Sequence, residues 1–285
     1  MWLIGLRPTA SAAWVRTVSL PIGDSATARS VTRSPNVSST ASPRTENSGP
    51  ASAGTPPEVV MPKRRTGTVP VAAAGLVLAR PDNRVLMVRR PATARFAPKA
   101  WVFPGGLVET HDGLADVTIP TPLALSGADL EPYKVAAVRE CLEETGLACL
   151  RASWLDEQRM QVRQALHRGE GLLSTVNAYA ADAELAPLHY VSFWTTPSSS
   201  PLRYSTRFFL AAAPTDQGEA AVDGVELTES RWLSPGEAIE AHRSGQFLLL
   251  PPQIAQLRQY AAVARVGGLL DWAASGPEVI PNGPV

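Results

Sequence analysis

Three glutamates in one short run constrain the fold of this chain more than any other feature. The run 139–147 predicts a helix that ends at Gly146, because glycine is the usual residue just past a helix C-terminus. Residues three and four positions apart lie on one face of a helix. Glu140, Glu143 and Glu144 are therefore expected to project together.

The negative charges of these three carboxylates repel each other, so a nearby positive charge is expected. Like charges at helical spacing cost about 0.2–0.5 kcal/mol per pair, and a divalent cation would remove the conflict. Mg²⁺ prefers oxygen ligands and commonly binds through carboxylates together with substrate phosphates. Arg139 precedes the cluster and could hold one carboxylate by paired hydrogen bonds. The alternative is a solvated acidic face, which is typical of glutamate-rich helices.

Upstream lies the segment 101–109, in which an apolar strand is interrupted by the pair Gly105-Gly106. Glycine allows a main-chain carbonyl to approach a metal or phosphate closely, so the Gly105 carbonyl is a candidate further ligand. Together with 139–147, this segment resembles the Nudix box: glycine, five residues, an acid, seven residues, then Arg-Glu-bulky-any-Glu-Glu-any-Gly-bulky. Asp112 stands where the pattern has glutamate, and 26 residues instead of seven separate it from Arg139, an insertion of 19.

The interrupted box is similar to that of one branch of the superfamily, the coenzyme A diphosphatases of the motif-nineteen type. The resemblance extends over about 69–262. Its further matching segments are 86–90, 96–98, 194–197, 206–209 and 248–252. The chain departs from the branch at Tyr204 and Ser205, where the related sequences have Phe and Asp.

The resemblance implies an α/β fold, a Nudix-type α/β/α sandwich with a mixed sheet and a loop-helix-loop catalytic motif. Short strands with helices between them favour the same class. The implied activity is metal-dependent hydrolysis of the diphosphate bond in nucleoside diphosphates linked to another group, with Mg²⁺ or Mn²⁺ as cofactor. Coenzyme A or acyl-CoA is the implied substrate, and ADP-ribose and dinucleotides stay open.

The sequence leaves two alternative functions to compare with this one. A non-catalytic Nudix-fold ligand-binding module would be expected to lack one or more box acids, and all of them are present here. An isoprenoid diphosphate isomerase would need a cysteine on a strand before the box, whereas Cys141 and Cys149 lie within it or after it.

Site roles follow from the resemblance. Glu140, Glu143 and Glu144 would hold the metal, Arg139 would orient them, and one glutamate would accept the proton of the attacking water. Candidate phosphate contacts are Arg89, Arg90, Arg203 and Arg207, and the additional acid candidates are Asp112, Glu226 and Glu229.

The chain divides into three parts by composition. Residues 1–66 are rich in Ser, Thr, Pro and Ala and are predicted to be disordered. A translation start at Met61 is favoured over a transit peptide for this part. Residues 67–266 form the predicted catalytic domain with an insertion at about 113–131, and 267–285 form a fraying tail.

Within the domain, a hairpin is predicted at 69–89, with a turn at 81–83. Asp129 is the predicted N-cap of the glutamate helix. A second helix, 155–168, is expected to turn its arginines and His167 to solvent, and Ser174 or Thr175 is expected to cap a third helix. The further predicted strands are 188–196, 204–213 and 225–233, and the further helices are 235–243 and about 251–266.

Composition limits the partners. Lys and Arg number 26 against 26 Asp and Glu, so a nucleic-acid groove or an anionic membrane is not the expected partner. The sequence has no apolar run of about 18 residues. Two cysteines make no disulfide scaffold and indicate buried thiols in a reducing compartment, so the cytoplasm is expected, with an organelle matrix as the alternative. A small molecule is the expected partner, and oligomeric state is left open.

Overall fold

A computed structural model of the chain describes residues 69–113, 127–180 and 182–279. The predicted disordered segment 1–66 and most of the predicted insertion lie outside these residues. The strands are β1 Val71–Ala79, β2 Val85–Arg89, β3 Ala100–Val102, β4 Gly105–Leu107, β5 Leu150–Arg151, β6 Glu184–Leu185, β7 His189–Thr195, β8 Tyr204–Ala212, β9 Glu229–Leu233 and β10 Leu248–Leu249. The helices are α1 Gly127–Thr145, α2 Asp156–His167, α3 Leu172–Tyr179, α4 Pro235–Arg243, α5 Pro251–Val263 and α6 Leu269–Ala274.

Eight of the strands form one mixed sheet in the order β10-β3-β2-β1-β8-β7, with β4 paired to β1 and β9 paired to β2. Strand β1 is central and buried along nearly its whole length, and β8 runs parallel to it over nine residue pairs. Strands β1 and β2 form the predicted hairpin, which meets at Ala79 and Val85. Asn83 makes the turn with a φ of 63°, a conformation that asparagine tolerates better than most residues.

Helices cover both faces of this sheet. Alternate side chains of β1 point to opposite faces, as the twofold period of a strand requires. Leu76 and Leu78 pack in the core that contains α1, α2 and α3, whereas Val77 and Ala79 pack in the core that contains α4, α5 and α6. The predicted α/β fold with a mixed sheet is confirmed.

Helix α1 carries the three glutamates and ends where the sequence predicts. Gly146 has a φ of 72°, and its N–H donates to the Leu142 carbonyl. The start of the helix was predicted wrongly. The helix begins at Gly127, so Asp129 lies in its first turn and is not the N-cap, and Pro132 lies inside the helix.

The arginines of α2 also differ from the prediction. Arg159 and Arg163 are buried, not solvent-facing. Arg159 donates to the Gly146 carbonyl, and Arg163 Nε donates to the Glu143 carbonyl at 2.9 Å. Because the last carbonyls of a helix have no partner within the helix, these arginines satisfy the C-terminal end of α1.

Two further boundaries differ from the prediction. Helix α3 is capped at Gly171 and not at Ser174 or Thr175, whose hydroxyls donate back to the Gly171 carbonyl. Strand β9 begins at Glu229, because 224–228 form a turn in which Asp223 Oδ1 accepts three main-chain N–H groups.

The C-terminal region is more ordered than predicted. The chain was expected to fray after 266, but 269–274 form α6, which buries Leu269 and Ala273. Asn83 Oδ1 accepts the Leu269 N–H at 2.8 Å and ties α6 to the β1–β2 turn. Among the residues that the structure describes, no helix is both long enough and apolar enough to cross a membrane.

Candidate active site

Arg139 is the centre of a buried ionic network on α1. Its Nε and Nη2 donate to the two carboxylate oxygens of Asp112, each at 2.9 Å. Its Nη1 donates to Glu140 Oε1 and Glu143 Oε2, both at 3.0 Å. The fork of a guanidinium suits this planar, bidentate geometry. The sequence prediction that Arg139 orients the acids agrees with these contacts.

Asp112 is held in place for this role. It ends a short 3₁₀ turn, and its Oδ2 accepts the Glu109 N–H at 2.9 Å. The aspartate and Arg139 are separated by 26 intervening residues yet are in direct contact, so the two halves of the interrupted motif come together. Asp112 was predicted as an additional acid of the site, but both of its oxygens face Arg139, which makes it a positioning residue.

Glu144 and the glycine turn are linked by a different bond. The Gly105 N–H donates to Glu144 Oε2 at 2.9 Å. Gly105 therefore offers its N–H to the acids in this structure, and its predicted role as a carbonyl ligand stays a prediction. Gly106 lies directly over Glu140, since a Cβ atom at this position would come within 2.3 Å of Glu140 Oε1.

The surroundings of Glu140, Glu143 and Glu144 disfavour the charged forms of these side chains. Burial, opposed by Arg139 and reinforced by Glu143, raises the pKa of Glu140 to about 7. Burial and repulsion from Glu140 raise the pKa of Glu144 well above its ordinary value. Burial also raises the pKa of Glu143. Burial therefore disfavours the charged form of all three glutamates, and one guanidinium is paired with two of them and also with Asp112.

A pocket of about 240 Å³ opens beside this network, and most of its charged lining is acidic. Its lining residues are Glu109, His111, Arg139, Glu140, Glu143, Leu166, His167, Gly169 and Glu226. Within the described part of the chain, no three acidic, histidine or cysteine side chains already form a metal-ligand set. In this arrangement Arg139 and the Gly105 N–H contact oxygens of the three glutamates.

The residues nevertheless fit a divalent cation. Glu140, Glu143 and Glu144 supply hard oxygen ligands, and their uncompensated negative charge is what such an ion neutralises. The absence of a side chain at Gly106 also leaves the Glu140 carboxylate uncovered.

The structure separates the two acids proposed outside the motif. Glu226 lines the pocket, and its charge raises the pKa of Glu140, Glu143 and Glu144. Glu229 instead pairs with Arg89 at 3.5 Å and with Arg231. Only Glu226 is therefore placed to take part in chemistry at the acids.

Two histidines in the pocket were not identified as site residues from the sequence. His111 lies next to Asp112, and its Nδ1 is 3.5 Å from the Glu109 carboxylate. His167 was expected at the surface and is exposed, but it lines the pocket from the end of α2. The position of His111 beside the motif acid was a signal that could have identified it, whereas nothing local marks His167.

The four arginines predicted to bind phosphate have different environments. Arg89 is paired with Glu229, whereas the charge of Arg90 acts to lower the pKa of Glu144. Arg203 Nε donates to the Thr196 carbonyl at 3.0 Å, within the β7–β8 connection. Of the first pair, Arg90 is the arginine near the acids.

Arg207 is not available to a substrate in this structure. It is completely buried, and its guanidinium carbon lies 4.3 Å from the centre of the Tyr133 ring and 5.1 Å from that of Phe193. Its Nη1 donates to the carbonyl and hydroxyl oxygens of Ser205. The prediction of a phosphate contact is wrong for Arg207, because the alternation of β8 turns this side chain into the core below α1.

Comparisons with known proteins agree with this geometry. A family model described as the NUDT19 Nudix domain matches residues 124–260. The putative Nudix hydrolase 7 of Caenorhabditis elegans is 27% identical over 197 residues, which cover 67% of this chain and 61% of that protein. The acyl-coenzyme A diphosphatase NUDT19 of Gallus gallus is 27% identical over 228 residues, covering 62% and 60%. This chain therefore spans about three fifths of the length of these relatives.

A solved structure gives the same result. The crystal structure of a Nudix hydrolase from Alicyclobacillus acidocaldarius is similar with a TM-score of 0.58 and 28% identity, over 69% of this chain and 93% of that one. The predicted resemblance, carried by the interrupted motif, is confirmed by these matches.

Proposed function

We propose that this chain, which is similar to Nudix hydrolases in its motif, its fold and its matched relatives, hydrolyses a diphosphate bond that links a nucleoside to a second group, with the acid pocket as its active site. The main support is the convergence of Glu140, Glu143 and Glu226 on one pocket beside Glu144. A ligand-binding module without activity would not need the partly or fully buried carboxylates of Glu140, Glu143 and Glu144, because the burial of charged groups is costly.

Glu140, Glu143 and Glu144 are the residues that would hold Mg²⁺ or Mn²⁺. When bound, a divalent cation supplies neutralisation of the charge that develops on the phosphate oxygens. The bidentate contact with Asp112 fixes the Arg139 guanidinium. The same guanidinium pairs with Glu140 and Glu143 and so keeps their carboxylates in place.

Glu226 is the proposed general base. It lines the pocket, and its carboxylate forms no ion pair with another described residue. Its main chain is fixed by the turn around Asp223, so the side chain is presented to the pocket from a defined position. It would accept the proton of the attacking water at a carboxylate oxygen.

Coenzyme A or acyl-CoA is the proposed substrate class. It is supported by the interrupted motif and by the activity named for the Gallus gallus relative. ADP-ribose and dinucleotides are the alternative substrates. We also infer a reducing compartment, the cytoplasm or an organelle matrix, because Cys141 and Cys149 are free and buried.

Product release from a panel of CoA, acetyl-CoA, ADP-ribose, NADH and diadenosine polyphosphates tests this function, with Mg²⁺, with Mn²⁺ and with chelator. We expect metal-dependent cleavage with CoA or acetyl-CoA as the best substrate. Cleavage of another member would retain the hydrolase and reject the CoA assignment. No cleavage under any metal would reject the hydrolase.

Glu144→Gln tests the site itself. The amide oxygen can still accept the Gly105 N–H, so the fold should persist, but the loss of one ligand charge should lower kcat about 10³-fold or more. Glu131→Gln is the matched control, because Glu131 lies exposed on the same helix and contacts Lys134. An active Glu144→Gln enzyme would contradict the assignment of the acid pocket.

A further inference from the structure

The loop between β2 and β3 is strongly basic. Residues 84–100 contain five Arg or Lys residues and no Asp or Glu. Arg84 and Arg89 are paired with Glu237 and Glu229. The other three are Arg90, Arg95 and Lys99, and none of them forms an ion pair with a described residue. We call 91–99 the basic loop.

The basic loop has a fixed and unusual backbone. Ala97 and Lys99 have φ values of 47° and 62°, in the left-handed region that residues with a Cβ rarely adopt. Such conformations persist where the surrounding structure enforces them, and they cluster at ligand sites. Here the Arg90 N–H donates to the Ala100 carbonyl at 2.9 Å, and Arg90 Nε donates to the Phe96 carbonyl at 3.0 Å. The loop is therefore held in shape without a ligand.

The basic loop packs at the end of the sheet that carries the Arg139 network. Tyr204 of β8 pairs with Val71 of β1, and Ala73, two residues further along β1, pairs with Leu107, whose carbonyl accepts a hydrogen bond from Arg139 Nη2. At the centre of the loop, the Phe96 ring lies 5.6 Å from the Tyr204 ring, edge to face at 68°. Arg95 and Lys99 are exposed on either side of Phe96. Arg95 and Lys99, which form no ion pair with a described residue, thus flank an aromatic contact at the end of the sheet where Leu107 meets Arg139.

We propose that the basic loop, through Arg95 and Lys99, binds a phosphate monoester that the substrate carries in addition to its diphosphate. A phosphate monoester is nearly doubly charged at neutral pH and offers three oxygens to cations of this kind. The Phe96–Tyr204 pair supplies an apolar surface for the base of the same nucleotide. This assignment rests on the proposed function, and it selects nucleotides with a third phosphate over ADP-ribose and NADH.

Equilibrium binding of adenosine 3′,5′-bisphosphate and of AMP, measured by calorimetry, tests the site without any turnover. The wild-type chain should bind the bisphosphate about tenfold or more tightly than AMP, the scale of one charge-assisted contact. Arg95→Gln with Lys99→Gln should remove that preference and leave AMP binding unchanged. Arg258→Gln with Arg265→Gln is the matched control, since both residues are exposed on or near α5 and the same charge is removed.

The outcomes separate the two proposals. Equal binding of both nucleotides by the wild-type chain, or a preference that survives Arg95→Gln with Lys99→Gln, would overturn the phosphate site. A control variant that also loses the preference would overturn it too, because the effect would then be one of net charge. If the preference depends on Arg95 and Lys99 but neither CoA nor dephospho-CoA is cleaved, the result supports the phosphate site and rejects the proposed hydrolase activity.

Steady-state kinetics with CoA and dephospho-CoA test the same phosphate site during catalysis. With an active enzyme, the double variant should raise KM for CoA about tenfold and leave kcat unchanged, while KM for dephospho-CoA stays constant. A parallel loss on both substrates would show that the loop contributes to folding or to the diphosphate site and would overturn the specific role.

Discussion

Two of the arginines buried on the α1 side of the sheet, Arg139 and Arg207, have opposite surroundings. Arg139 is enclosed by carboxylates and uses all three guanidinium nitrogens in hydrogen bonds. Arg207 is enclosed by aromatic rings, and its Nε and Nη2 have no hydrogen-bond partner. Burial alone therefore does not identify a functional arginine, whereas the charge of its neighbours does.

The difference is also one of energetics. A buried charge is costly unless it is paired, and removing one partner leaves the other uncompensated. Arg139 is needed by three carboxylates, so its loss exposes their repulsion. Burial lowers the pKa of Arg207, which is the direction expected for a cation with no anionic partner. Removing Arg207 leaves no charge behind.

Arg139→Met should show the largest effect. It leaves Asp112, Glu140 and Glu143 without their cation, and we expect a loss of about 3–5 kcal/mol in the free energy of unfolding. Urea denaturation in chelator measures this. If the variant does not fold, Asp112→Asn provides the milder test, because it keeps the shape of the side chain. A loss below about 1 kcal/mol in both variants would remove the contrast between the two arginines.

The pH dependence of stability should show an intermediate effect. Glu140 has a pKa of about 7 in the fold against an ordinary value of 4.5, so the folded chain binds more protons between these values. Stability without metal should then fall as pH rises from about 4.5 to 7. Glu140→Gln should reduce that loss by at most about 3 kcal/mol, from 1.36 kcal/mol per unit of pKa. Thermal unfolding from pH 4.5 to 8 in chelator measures it, and identical slopes in both proteins would contradict the assignment.

Arg207→Met should show the smallest effect. Methionine keeps much of the apolar stem and removes two unsatisfied nitrogens, so we expect a change within about 1 kcal/mol, of either sign. The same urea titration measures it next to Arg139→Met. A loss as large as that of Arg139→Met would show that contacts with Tyr133, Phe193 and Ser205 are worth more than an ionic network.

Helical spacing and the motif were sufficient to predict the glutamate helix, its end at Gly146 and the α/β class. The β1–β2 hairpin was likewise predictable from its turn residues. These features depend on local sequence. Arg139 and Asp112 were also correctly assigned to one motif, although only the fold shows that the aspartate serves the arginine.

The rest depends on contacts between distant elements. Arg159 and Arg163 were predicted to face solvent as part of a charged helix face. Their partners are carbonyls at the end of α1, and the sequence does not show that these carbonyls lie nearby. Glu226 and Glu229 could not be separated by spacing, since a turn at 224–228 sends one to the pocket and the other to the sheet edge. Arg207 was assigned by resemblance alone, and strand alternation places it in the core.

The two adjacent glycines of the strand turn are not equivalent. At Gly105, with a φ of 152°, a Cβ atom would lie 2.3 Å from the Ala74 carbonyl oxygen, so a side chain there would push β4 off β1. At Gly106 the nearest atoms that the same added carbon would meet belong to the end of the Glu140 side chain, which would have to move away from its contact with Arg139. A methyl group at 106 would therefore displace the Glu140 carboxylate while the pairing of β4 with β1 is kept. A substitution at this position would change one ligand of the site without changing the fold that carries it.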